Sequence, residues 1–120
     1  MIRCKLEAKL PSVNSLYWHR GNIKIMKTEA KQLRKDIILA REGDVKSEVQ
    51  LVAFITVYGD WYFKNGKIRK RDVLNLQKFL IDSIFDGLEA DDKQIFASYW
   101  VKKQADYDGF EVVIEEFKHG

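Results

Sequence analysis

Two acidic positions bracket one segment of the chain: Asp72, which ends the basic run Arg69-Lys70-Arg71, and the pair Asp91-Asp92. Between them Asn75, Lys78, Asp82 and Asp86 follow Asp72 at intervals of three, three, four and four. On a helix those intervals put all of them on one face. Carboxylates are hard oxygen donors and suit Mg²⁺, which activates water and neutralises phosphoryl charge in phosphodiester hydrolysis. A lysine beside them would hold phosphate charge or orient the attacking water. Each feature also has a plain structural reading. Asp72 is a good helix N-cap, Asn75 and Lys78 are ordinary exposed helix residues, and Asp91-Asp92 is a good turn. Spacing alone leaves both readings open.

The distribution of charge points the same way. The net charge is only +3, yet Lys64, Lys67, Arg69, Lys70 and Arg71 form a dense basic group just ahead of Asp72. Lys24, Lys27, Lys31, Arg34 and Lys35 form a second group, and Asp106, Asp108, Glu111, Glu115 and Glu116 collect late in the chain. Basic stretches attract phosphates; a solvated loop and helix face is the competing reading. Trp61, Tyr62 and Phe63 precede the dense basic group and either stack on bases or pack in a core or dimer contact. Trp18 and Arg20 make a second possible DNA contact, with His19 between them read as structural. The lone cysteine, Cys4, excludes an intrachain disulfide and reads as a core thiol.

The elements that must hold these residues are readable in outline. Residues 1–10 alternate apolar and charged, as a strand with one wet face does. Pro11 ends it, and "PSVNSLYWHRGN" reads as a loop. From Thr28, apolar residues recur at helical spacing, with Gly43 as a stop. Residues 49–58 form a central strand rich in β-branched and aromatic residues, and "KNGK" at 64–67 is a turn. A second helix spans Val73 to Leu88, with Val73, Leu76, Leu80 and Ile84 as its buried stripe. "IFASYWVKKQ" and "FEVVIEEF" then read as a C-terminal β-hairpin about "ADYDG". The expectation is a single α/β (α+β) domain over 1–120, ordered β-α-β-α-β-β. Its mixed sheet carries both helices on one face and leaves the other face for solvent or a partner. No apolar run reaches the roughly 20 residues of a membrane span, and the start of the chain is not a signal peptide. A soluble, intracellular (cytoplasmic) protein is expected.

The pieces "RDVLNLQK" and "EADDKQI" together resemble the RusA family of Holliday junction resolvases, with its D-x-D-N-x-x-K motif and later D-D-x-Q-hydrophobic segment. "LPSVNSLYWHR" is similar to the family's N-terminal proline-serine loop, and the resemblance covers nearly the whole chain. It implies a Mg²⁺-dependent endonuclease that resolves four-way junctions by paired symmetric cuts. Asp72, Lys78 and Asp92 would be catalytic, Asp72, Asp91 and Asp92 metal-binding, and Asn75 supporting. A two-fold symmetric junction also argues for a homodimer. The second aspartate of D-x-D falls on Leu74, which has no lone pair for a metal. Asp60 is the preferred substitute, ahead of Asp91 and Glu89. The alternative is a non-catalytic junction-binding homologue whose metal site is degraded at Leu74.

Overall fold

The computed structural model describes residues 1–9, 17–20, 23–71 and 76–118, and for 17–20 and 23–26 the backbone alone. The elements in chain order are β1 (Ile2–Glu7), β2 (Tyr17–Arg20), β3 (Ile23–Met26), α1 (Thr28–Ala40), β4 (Glu42–Gly43), β5 (Leu51–Gly59), α2 (Leu76–Phe85), β6 (Ile95–Gln104) and β7 (Gly109–Glu116). This is the α+β architecture that the patterning predicts. Strands β4-β1-β7-β5-β6 form one mixed sheet, and β2-β3 form a separate antiparallel pair.

Side-chain alternation sets the faces of the large sheet. Ile2 and Cys4 of β1, Leu51, Ala53, Ile55 and Val57 of β5, and Phe110, Val112 and Ile114 of β7 are all buried. The register pairs Ile2 with Ile114, Cys4 with Val112 and Ile55 with Val112, so these residues share one face. Ala30, Leu33 and Ile37 of α1 and Leu76, Leu80 and Ile84 of α2 complete the same core. Both helices therefore cover one face of the sheet, because only there do their apolar stripes find apolar partners. Burial pushes the Cys4 thiol up to about 11, which removes it as a nucleophile at neutral pH.

The opposite face is open. Phe54 and Tyr99 stack across β5 and β6 at 5.3 Å between ring centroids, and with Val101 they stay exposed to solvent.

The structure corrects four details of the sequence reading. β6 and β7 are not a hairpin: β6 pairs in parallel with β5, while β7 lies antiparallel between β1 and β5. The "ADYDG" segment instead passes over the end of β5, where the Ala105 N–H donates to the Gly59 carbonyl at 2.9 Å and the Ala8 N–H to the Asp108 carbonyl at 3.0 Å. Gly109 permits the approach, since a Cβ there would lie 2.7 Å from the Leu6 carbonyl oxygen. Tyr17–Arg20, read as loop, is a strand paired with Ile23–Met26. α1 ends at Ala40 rather than at Gly43, which lies in β4 at φ +88° against the Met1 carbonyl. α2 ends at Phe85, three residues before Leu88, because Gly87 adopts φ +81° and breaks the helical path.

Candidate functional site

The carboxylate-bearing segment is held by its neighbours more than by its own sequence. Where α2 ends, its last carbonyls need donors. Arg41, just past α1, supplies them: its guanidinium donates to the carbonyl of Ile84 at 2.7 Å and to that of Asp86. Arg34 of α1 pairs with the Asp86 carboxylate at 3.2 Å. A cation at a helix C-terminus also suits the helix dipole. The chain then turns into the short 3-10 segment Asp92–Gln94. Gln94 is 3% exposed and ties this turn down. Its amide donates to the Lys46 and Val49 carbonyls at 3.0 Å each, and its oxygen accepts the Asp91 N–H at 2.9 Å.

The result is that Asp92 meets both Asp91 and Asp82, the latter one turn along α2 from Lys78. Contact with the Asp91 carboxyl, together with partial burial and the nearby Asp82 carboxylate, raises Asp92 above the usual carboxylate range. Asp91 is held below that range, first by its contact with the Asp92 carboxyl and then by the backbone N–H groups of Asp92 and Lys93. Of the two, Asp92 is therefore the one that takes up a proton first. Lys78 is exposed and reaches Asp82 at 3.7 Å. A shallow cavity of about 500 Å³ is lined by Asp82, Asp86, Glu89, Asp91 and Asp92, with Arg34 as its cation. Such crowding of carboxyl groups is costly without a proton or a cation to share.

Of the residues singled out from the sequence, Lys78, Asp91 and Asp92 are brought to one locality. Asp72, Leu74 and Asn75 lie outside the described residues. Among the described residues no group of three His, Cys, Asp or Glu side chains is already arranged to hold a metal ion. Asp82, placed on this helix face by its spacing, was given no role at the metal site from the sequence. It lies on the helix face with Lys78, but only the folded turn shows that it meets Asp92. Asp60, the preferred substitute for Leu74, lies elsewhere. It accepts from Gln104 Nε2 at 3.0 Å and pairs with Arg69 at 3.4 Å, past the far end of β5 from Ile95. Those contacts, the Gln104 amide first and then the Tyr62 N–H, hold its carboxyl low.

The basic group is split by the fold. Lys64, Lys67 and Lys70 are exposed. Arg71 pairs with Asp108 at 3.1 Å and lies 5.0 Å from the centroid of the Trp61 ring. Trp61 is 4% exposed, so it packs rather than stacks on a ligand, whereas Tyr62 and Phe63 are about half exposed. The backbone of Trp18 and Arg20 lies in β2.

Residues 10–115 match the family described as endodeoxyribonuclease RusA. The chain belongs to the RusA endodeoxyribonuclease family. No curated protein matches it significantly. RusA proteins are Holliday junction resolvases, so the family relation ties this chain to junction DNA and to recombination. In that light the glutamine of the RusA D-D-x-Q segment has a structural explanation: Gln94 is the tether that fixes the aspartate pair against the 46–49 loop. No helix among the described residues is long and apolar enough to cross a membrane.

Proposed function

We propose that this RusA-family chain is a Mg²⁺-dependent endonuclease that resolves four-way and other branched DNA by paired, symmetric cuts, acting as a homodimer. The observation that carries the reading is the meeting of Asp82, Asp91 and Asp92 beside Lys78 in a chain of this family. Their oxygens are the hard donors that Mg²⁺ takes. Asp91 and Asp92 would hold the ion, and because Asp72 directly follows Arg71 at the other end of β5 it would join them from the second copy of the homodimer. Bound Mg²⁺ would neutralise phosphoryl charge and lower the pKa of a water. For the residues themselves, Asp82 keeps Lys78 beside the cluster, and Lys78 offsets charge on a phosphate drawn there. Gln94 keeps the aspartate turn in place, and Lys64, Lys67 and Lys70 attract the DNA backbone.

The dimer is supported by the open sheet face. The exposed Phe54–Tyr99 stack and Val101 form an apolar surface that a second copy would cover about a two-fold axis. The second reading, a junction-binding homologue without activity, is favoured by Leu74, which stands where the family motif has its second aspartate. Its weakness is that Asp72, Asn75, Lys78, Asp91 and Asp92 are all retained.

The test is a labelled four-way junction and a linear duplex, each incubated with Mg²⁺ or with chelator, using the parent chain, Asp72→Asn and Asp92→Asn. Junction cutting that needs Mg²⁺ and is lost in both variants is expected. Junction binding without cutting under any condition would overturn the nuclease reading and leave the second.

A further inference from the structure

Residues 61–69, just past β5, form a small antiparallel hairpin with a fixed root and a free tip. At the root, the buried Trp61 donates its indole N–H to the Lys103 carbonyl at 2.8 Å and its backbone N–H to Gln104 Oε1 at 2.9 Å. Arg71 and Lys102 lie 5.0 and 4.9 Å from the centroid of its ring. The Arg69 N–H closes the two arms by donating to the Trp61 carbonyl at 2.7 Å, and Tyr62 bridges to Ile68. At the tip, the Gly66 N–H donates to the Phe63 carbonyl at 2.9 Å, and Gly66 takes φ +85°, which a side chain resists.

What this hairpin shows to solvent is unusual for a turn. Tyr62, Phe63 and Ile68 are 47%, 48% and 71% exposed. The Arg69 guanidinium backs the Phe63 ring at 4.7 Å, and the exposed Lys64, Lys67 and Lys70 lie close by in the sequence. Exposed apolar rings among cations fit a polyanion that also carries flat apolar groups, which is a nucleic acid. In intact duplex the bases are stacked and out of reach. An aromatic tip gains a base contact at least cost where pairing and stacking are already weakened, as at a branch point.

We propose that the hairpin from Tyr62 to Ile68 is a base-stacking finger, in which Phe63, backed by Arg69, takes up an unpaired base at a branch point. This deepens the nuclease reading, on which it rests for the branched substrate, and it needs no cleavage. The finger gives a physical basis for preferring junctions over duplex: the lysines bind phosphates in both, and the ring adds affinity in one.

The experiment measures affinity for a four-way junction and for a duplex in chelator, with permanganate probing of thymines at the branch point. Phe63→Ala is expected to weaken junction binding roughly tenfold, as loss of a base–aromatic stack does, and to leave duplex binding unchanged. The branch-point thymines should become reactive with the parent and not with Phe63→Ala, and Phe63→Trp should restore both effects. Lys64→Ala with Lys67→Ala should weaken both substrates alike and reduce the salt slope by about 2. Phe63 is exposed, so an unchanged melting temperature separates contact loss from misfolding. An unaltered junction preference in Phe63→Ala overturns the finger, as do unreactive thymines with the parent. So does dissociation of a dimer by Phe63→Ala in light scattering, which would give the ring to a second copy. If the parent binds no DNA, the nuclease reading falls as well; if it cuts junctions while Phe63→Ala keeps the preference, only the finger falls.

Discussion

Replacing Gln94 by alanine should both destabilise the chain and loosen its candidate metal site. The side chain makes three hydrogen bonds, to the Lys46 carbonyl, the Val49 carbonyl and the Asp91 N–H. Truncation removes all of them. A net bond contributes about 1 kcal/mol, and a buried group left unpaired costs about 1–3 kcal/mol. Lys46 and Asp91 are exposed and Val49 only partly buried, so water recovers part of the loss. The expected cost is about 2 kcal/mol. At about 2.1 cal/mol/K per residue, that lowers the melting temperature of a chain of 120 residues by about 8 °C. Supporting residues of this kind typically change metal affinity by about tenfold or more, so calorimetric Mg²⁺ binding should weaken by at least about that factor. Gln94→Glu should be no better, because it directs a carboxylate at two carbonyl oxygens. A Gln94→Ala chain that melts within about 2 °C of the parent and binds Mg²⁺ as tightly would refute the tether.

Asp92→Asn should act in the opposite direction. The folded chain favours the protonated form of Asp92, so the group's contribution to stability is complete below the ordinary carboxylate range and is lost as pH rises through its raised pKa. At pH 7 without metal the neutral amide should therefore raise the melting temperature, by about 2 °C given solvent screening. The difference should vanish in acid, and thermal scans with added Mg²⁺ should show a smaller rise for the variant than for the parent. Tyr99→Glu, which puts a charge on the open aromatic face, should convert a dimer to a monomer in light scattering without unfolding it. Gly43→Ala should cost about 2 kcal/mol or more in urea unfolding, since φ is +88° and the new Cβ would meet the Met1 carbonyl.

Local patterning made most of the elements legible, and long-range pairing accounts for the misses. The alternation in β1 and the helical spacing in α1 follow from each segment's own burial, so they were readable residue by residue. The β6–β7 error has a different origin. "ADYDG" carries the turn signals that a tight hairpin would, and nothing local says that the chain steps across β5 instead. That choice is made by β7, whose inward residues Phe110, Val112 and Ile114 are buried between β1 and β5. The β2–β3 pair had a local signal, the Gly21-Asn22 dipeptide between its arms, which is a hairpin signature. Trp61 was also decidable. It continues the period of two through Leu51, Ala53, Ile55, Val57 and Gly59, the side of β5 that faces the helices. Asp82 was not decidable, because its partner is ten residues away around a turn whose path depends on Gln94, Arg41 and the 46–49 loop.

The fold separates the basic hairpin from the described carboxylates. From the sequence, the basic run leads straight into Asp72, so phosphates drawn there are expected beside the metal, and Asp72 lies outside the described residues. For the described carboxylates, the sheet keeps them apart. Arg69 and Arg71 contact Asp60 and Asp108 past the Gly59 end of β5, whereas Asp92 precedes Ile95, which pairs with Leu51 at the other end. Nine residues of strand separate the two, about 25 Å at strand rise. Screening at physiological salt falls off over about 8 Å, so across about three such lengths the hairpin cations do little to neutralise the aspartates. Had the cations lain beside the aspartates, each set would have paired with the other. Distance lets one subunit keep both an acidic cluster open to a cation and a basic hairpin open to phosphate.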